Sequence, residues 1–257
     1  MTIHPTAIID PDAVLGDGVE VGPYSIIGPG VEIGPGTWIG PHVVINGPTR
    51  IGRDNRIFQF ASIGEIPQDK KFHGEDSLLE IGDRNTIREY ATINRGTAEG
   101  GGVTRIGSDN WLMAYIHVAH DCEVGDYTIM ANAASLAGHA RLEDHAILGG
   151  FTLVHQFCAI GAYAFTAMGS AIAKDVPPFV TVAGNPATPR GVNVEGLRRH
   201  GFSQDRLQGV RELYRLLYRS GLGLDEARAR IEDMQGGNED AARMAEFLRR
   251  SRRSIVR

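Results

Sequence analysis

Branched aliphatic residues return at every sixth position from the start of the chain: Ile3, Ile9, Leu15, Val21, Ile27, Ile33, Ile39, Ile45, Ile51, Ile57 and Ile63. The phase survives to Ile81, Ile87 and Ile93 and slips by one residue at Ile106. It then runs through Leu112, Val118, Val124, Met130, Leu136, Leu142, Leu148, Val154, Ile160 and Ile172, with Thr166 the one polar exception. A period of six belongs to neither a helix nor an alternating strand. It marks a parallel β-helix, in which each short strand buries one aliphatic and stacks on its copy in the next coil. Four residues beyond the aliphatic stands a small side chain, as at Ala7, Ser25, Thr37, Ala61, Ala91, Cys122, Ala134 and Ala164, so large and small inward positions alternate. Gly28, Gly34, Gly52, Gly82 and Gly107 directly follow aliphatics and are expected to supply turn conformations that a Cβ resists. The predicted fold is an all-β solenoid over residues 1–189 with three hexads per coil; the spacing does not give its handedness.

The period breaks at 64–80 and at 94–105, two polar excursions expected to protrude and gather on one binding face. The hexads stop at Asp175-Val176-Pro177-Pro178, and residues 182–186 are expected to make a final turn. Beyond Gly191 the pattern becomes helical. Ser203 is a candidate N-cap for a helix whose Leu207, Val210, Leu213, Tyr214, Leu217 and Tyr218 share one face and which Gly221 ends. Residues 225–234 and 238–251 read as two more helices, giving an α-helical C-terminal domain over 190–257.

A filled β-helix has no interior pocket, so chemistry must lie on its outer surface or beneath the loops. Val118 and Cys122 point inward by phase, which turns His120 out of the core. One coil of 18 residues carries His120 to Gly138 and a second to Gln156, with His139 and His155 beside the column. A base, an unobstructed glycine N–H and an amide in one column suit acyl transfer, because a base can deprotonate an alcohol and the N–H can stabilise an oxyanion. A single turn histidine would read as merely solvated; the aligned set beside two loops reads as a site. A second column, Ala114, Asn132, Gly150 and Met168, ends in a large flexible side chain.

Charge divides the chain. The net −5 conceals +5 over residues 190–257, where 15 Arg and no Lys face 10 acidic residues, and −10 over the remainder. Arg249, Arg250, Arg252, Arg253 and Arg257 form a basic cluster suited to an acidic partner. Cys122 and Cys158 are the only cysteines and lie two coils apart. That puts them roughly 9.6 Å from each other, beyond the reach of a disulfide. With hexads beginning at residue 3 and no long apolar run, neither a signal peptide nor a membrane span is expected, and the expected location is cytoplasmic.

Several segments resemble the UDP-N-acetylglucosamine O-acyltransferase family of hexapeptide-repeat enzymes, which opens lipid A biosynthesis. They are residues 116–122 (IHVAHDC), 150–157 (GFTLVHQF), Asp54-Asn55 with 59–64 (QFASIG), 81–85 (IGDRN) and 191–197 (GVNVEGL), collinear along the whole chain. The resemblance implies a left-handed helix, a homotrimer with sites between neighbours, UDP-sugar as acceptor and acyl carrier protein as donor. No metal or resident cofactor is implied, since the donor is acyl-phosphopantetheine on its carrier, and no nucleic-acid partner. His120 matches the family's general base, Asp121 its supporting carboxylate and Gly138 its oxyanion donor. Neighbours in a strand point oppositely, so the His120–Asp121 pairing requires a turn. Asp69 and Lys71 match residues that hold the sugar, while His117, His139, His155 and Gln156 match residues lining the cleft. Asn193, Glu195 and Arg199 match contacts to the nucleotide, and Met168 the position that limits acyl-chain length.

Two positions depart from the family pattern: Asn94 stands where His is common, and His200 where a second Arg is common. They keep open an alternative in which a 3-amino UDP-sugar is acylated to an amide. A remoter alternative is a metal enzyme like the γ-class carbonic anhydrases, for which His117 and His120 lack a third ligand; a scaffold without catalysis leaves the loops and histidines unexplained.

Overall fold

The computed structural model describes residues 2–257 as a left-handed parallel β-helix closed at one end by four helices. Each coil gives one short strand to each of three sheets. Sheet I has 11 strands starting at Thr2–Ile3, sheet II nine starting at Ile8–Ile9, and sheet III eight starting at Val14–Leu15. Pairing between coils is parallel and in register, as in Ile57 with Ile87 and Val118 with Leu136. Two-residue strands suffice because the inward aliphatics stack into one continuous core. From Val21 onward they are at most 4% exposed, and each stabilises the fold by roughly 1.5–3 kcal/mol through burial. In the first coil, which no coil covers from below, Ile3 is 40% exposed and Ile9 and Leu15 are half-buried. Cys122 and Cys158 are free and buried, and burial pushes the Cys122 thiol up to about 12.

Both loops leave the same corner. Each departs from the end of a sheet II strand, Ser62–Glu65 or Thr92–Asn94, and re-enters at a sheet III strand, Leu78–Ile81 or Val103–Ile106. The core register ignores them. Ile87 pairs with Ile57 across 30 residues and with Leu112 across 25, while Leu112 pairs with Met130 across 18.

The glycines after the aliphatics serve another purpose than the expected one. At Gly52 and Gly82 the backbone is not left-handed; a Cβ on Gly52 would lie 2.7 Å from the Gly82 carbonyl oxygen of the next coil. Close stacking of coils excludes the side chain. The left-handed turn residue is the third after the aliphatic and is usually not glycine: Tyr24, His42, Phe60, Tyr90, Tyr115, Asp121, His139 and Phe157 all have φ between 55° and 65°.

The hexads end in an antiparallel hairpin, Val180–Ala183 with Thr188–Val192, so a strand runs across residues 189 and 190. Four helices follow: α1 (Val194–Arg199), α2 (Gln204–Tyr218), α3 (Leu224–Asp233) and α4 (Glu239–Arg250). Ser203 Oγ accepts from the Arg206 N–H at 3.2 Å, capping α2 as expected. The short α1 was not foreseen, since six residues hold too little periodicity; Asn193 Oδ1 caps it by accepting from the Gly196 N–H at 3.2 Å. Leu207, Leu213, Leu217 and Phe247 form a second core that meets Ala159 and Phe179 of the solenoid. The final residues return to the solenoid, where the Val256 N–H donates to the Asp175 carbonyl at 2.9 Å. Among the described residues no helix is long and apolar enough to cross a membrane.

Candidate active site

The corner between sheets II and III builds the site. In the coil after the second loop, the strand His117–Val118 turns at His120 and Asp121 into Glu123–Val124. Asp121 has φ 58°, and this left-handed turn brings neighbours together that a strand would hold apart. His120 Nδ1 lies 2.8 Å from Asp121 Oδ2. The ring then rests on the next coil, where a Cβ on Gly138 would stand 2.6 Å from His120 Nε2. Any residue but glycine at 138 would cover that nitrogen. The Gly138 N–H donates to no acceptor among the described residues. His120 leaves the aliphatic core as its phase requires, yet it is only 7% exposed because the loops and the next coil shelter it.

Asp69, Lys71, His117, His120, Gly138 and Gln156 line one cleft of about 730 Å³. Asp69 shapes its loop by accepting from the Lys71 N–H at 3.0 Å, and Lys71 Nζ pairs across to Glu99 of the second loop at 3.2 Å. Both partners are more than 70% exposed, so this pair is easily exchanged for a ligand. His117 Nδ1 is 2.8 Å from Thr92 Oγ1, and burial holds the imidazole below its ordinary value. His139 stacks on Phe157 at 4.4 Å and meets His120 edge-on at 5.1 Å. It stands 3.8 Å from Asp121 Oδ2, and burial lowers it too. Asp121 and His139 open on the opposite side of the turn, into a smaller cleft of about 410 Å³ shared with Arg250 and Arg252. A larger groove of about 870 Å³ runs along sheet III between Arg50 and Arg250 and contains no histidine.

The His117–His120 pair of the carbonic-anhydrase alternative gains no third ligand; a different set, His120, Asp121 and His139, offers ligand atoms within 4.8 Å of one another. Asp121 is already committed, however. Its Oδ1 accepts from the Thr97 N–H at 2.8 Å, and its Oδ2 accepts from the Thr97 hydroxyl at 2.6 Å. The donor set is a hydrogen-bonded dyad with an oriented imidazole.

Other expected residues lie elsewhere. Asn94 is buried at the root of the first loop, donating from Nδ2 to the Ile66 carbonyl at 3.0 Å. His155 is exposed and lines neither cleft. Asn193 is engaged in its cap and in a bond from Nδ2 to the Tyr163 carbonyl at 2.9 Å. Glu195 and Arg199 pair at 3.4 Å on exposed α1, and the His200 ring meets His145 and Tyr163. Met168 is 80% exposed at the end of its column. The Arg cluster divides. Arg253 donates to the Gln156 carbonyl and Arg257 to the Leu217 and Leu222 carbonyls, while Arg249 pairs with Glu246. Sequence reasoning did not find Thr97, Thr104 or Glu99; a Thr three residues before a Gly in a polar loop is a capping signal that says nothing of a carboxylate one coil away.

Residues 175–256 match the family model described as UDP-N-acetylglucosamine O-acyltransferase, domain 2, and residues 1–35 match the bacterial transferase hexapeptide model. The chain is 58% identical to the acyl-[acyl-carrier-protein]–UDP-N-acetylglucosamine O-acyltransferase of Janthinobacterium sp. (strain Marseille), with 99% of each chain covered. It is 59% identical to the protein of the same name from Halorhodospira halophila, again with 99% of each covered. The solved UDP-N-acetylglucosamine acyltransferase of Francisella novicida is 41% identical with a TM-score of 0.98, over 100% of this chain and 94% of that one. The Moraxella catarrhalis UDP-N-acetylglucosamine O-acyltransferase is 47% identical with a TM-score of 0.97 over the whole of both.

Proposed function

Because the chain belongs to the UDP-N-acetylglucosamine O-acyltransferase family, we propose that it moves a 3-hydroxyacyl chain from acyl carrier protein to the 3-hydroxyl of UDP-N-acetylglucosamine, the first step of lipid A biosynthesis, with His120 as general base. One observation carries the role of His120: its Nδ1 is held by Asp121 at 2.8 Å, which leaves Nε2 directed at the side-chain-free Gly138 in the cleft of Asp69 and Lys71.

In this mechanism Nε2 takes the proton of the sugar hydroxyl as its oxygen attacks the thioester carbonyl. The Gly138 N–H receives the negative charge of the tetrahedral intermediate. Collapse breaks the carbon–sulfur bond, and the imidazolium returns its proton to the departing phosphopantetheine sulfur. Asp69 and Lys71 hold the sugar, with His117 and Gln156 along the same cleft and His139 lining the neighbouring one. His155, Asn193, Glu195, Arg199 and His200 serve the nucleotide and the neighbouring site in a homotrimer; their position outside the cleft of their own chain supports that division. The acyl chain follows the column of Ala114, Asn132 and Gly150 and ends at Met168. The relatives are O-acyltransferases, which favours the ester over an amide on a 3-amino sugar.

The test is incubation with UDP-N-acetylglucosamine or its 3-amino analogue, each with a series of 3-hydroxyacyl carrier proteins. An ester on UDP-N-acetylglucosamine is expected, lost in His120→Ala. Turnover of the amino sugar alone would overturn the acceptor, and an active His120→Ala the base.

A further inference from the structure

The Asp121 carboxylate is 1% exposed and makes three hydrogen bonds, two of them with one loop residue, while His139 Nε2 stands at 3.8 Å. Thr97 donates its backbone N–H to Oδ1 at 2.8 Å and its hydroxyl to Oδ2 at 2.6 Å. The hydroxyl oxygen accepts from the Gly100 N–H at 3.3 Å, so its single hydrogen is the one turned to the carboxylate. On the other side, Thr104 Oγ1 accepts the Asp121 N–H at 2.8 Å. A Cβ on Gly100 would run into the same carboxylate, so the loop lies directly on Asp121. With its oxygens receiving two hydrogens from Thr97, Asp121 is left as an acceptor. The hydrogen between it and His120 then resides on Nδ1, and Nε2 keeps its lone pair toward Gly138.

We infer that Thr97 is a positioning residue for the transfer reaction: through its N–H and hydroxyl it fixes the Asp121 carboxylate, and through Asp121 it sets the tautomer and direction of the His120 ring. The inference rests on the reading of His120 as the base. Thr97 itself is 5% exposed and does not line the cleft of His120, so it bears on turnover without contacting the sugar. It makes the second loop part of the catalytic apparatus as well as a wall.

Three variants with steady-state kinetics test this. Thr97→Val keeps the shape and removes the hydroxyl; kcat is expected to fall about 10- to 100-fold, with KM for UDP-N-acetylglucosamine changed less than about twofold. Thr97→Ser is expected to recover activity to within about threefold. In an Asp121→Asn background, Thr97→Val is expected to cost less than about twofold more, because the residue it acts through is already altered. Should Thr97→Val fold poorly, Gly100→Ala pushes on the carboxylate while keeping the Thr97 side chain itself, and the same loss of kcat is expected. Thr97→Val at wild-type kcat, or a full independent loss in the Asp121→Asn background, would overturn the inference and leave Thr97 a cap of its own turn. His120→Ala run alongside separates the two readings: if that variant stays active, the base assignment falls, whatever Thr97 does.

Discussion

Two corners of the solenoid use the same backbone device for different ends. Between sheets I and II, Tyr24, His42, Phe60, Tyr90 and Tyr115 occupy left-handed turns and stack at 4.8–5.3 Å in an exposed ladder. Between sheets II and III, Asp121, His139 and Phe157 occupy the same kind of turn, and His139 stacks on Phe157 at 4.4 Å. The backbone alone therefore makes no site. The second corner differs in what covers it: the second loop lies on Asp121, and a glycine in the next coil makes room for the His120 ring. In the proposed mechanism, low dielectric and a fixed partner turn a histidine from a stacking ring into a base.

The strongest test of that difference pairs His120→Ala with His42→Ala. The first is expected to lower kcat by about 10²–10⁴-fold. The second, at a rung of the exposed ladder, should leave kcat unchanged and cost about 0.5–1.5 kcal/mol of stability per lost stacking pair at most, read as a small drop in Tm. Equal kinetic losses would erase the distinction between the corners.

A smaller effect is expected from the side of the dyad facing Arg250 and Arg252. Replacing both with Glu should raise KM for acyl carrier protein about tenfold at low salt, with the gap closing as salt rises and KM for the UDP-sugar unchanged. Carrier kinetics identical to wild type at low salt would remove these residues from the docking surface. At Met168 the expected change is one of preference. Each methylene that gains cover contributes about 0.8 kcal/mol, roughly fourfold. The unaltered protein is expected to prefer C10–C12 donors and Met168→Gly to move that preference toward C14, and a wild type that already favours C14 would break the assignment.

The smallest expected effect is thermodynamic. Burial holds His117, His139 and His145 below the ordinary imidazole value of 6.5. Folded, they bind fewer protons than unfolded, so stability is complete above about pH 6.5 and declines as pH falls from there toward the lower folded values. Tm should drop by about 2–4 °C between about pH 7.5 and pH 5.5 for each kcal/mol involved. His145→Gln should flatten part of that slope, and an unchanged slope would exclude His145 from it.

The six-residue period made the core legible down to individual side chains, since one burial rule repeats in every coil. It also turned His120 out of the core and aligned it with Gly138. The His120–Asp121 contact was not legible from phase, because it depends on a left-handed turn that sequence spacing cannot distinguish from extended backbone. The glycines after the aliphatics were assigned the wrong cause for a related reason: contact between coils is a property of stacking, invisible within one hexad. Thr97 lies in a segment with no period, where only the fold brings residues 97 and 121 together. Residues 193–200 fall in a helix too short to announce itself.

The two excursions leave the register of the core aliphatics untouched; the one shift, Glu65 opposite Asn94, falls where the loops depart. Enlarging a coil from 18 to 30 residues leaves the aliphatic rows of neighbouring strands paired as before, and the extra closure entropy is roughly half a kcal/mol. Insertions and deletions in the first excursion are thus nearly neutral for folding while they rewrite the wall of the cleft before His120. A lineage can exchange one acceptor for another by drifting in loop length and composition, without passing through an unfolded ancestor.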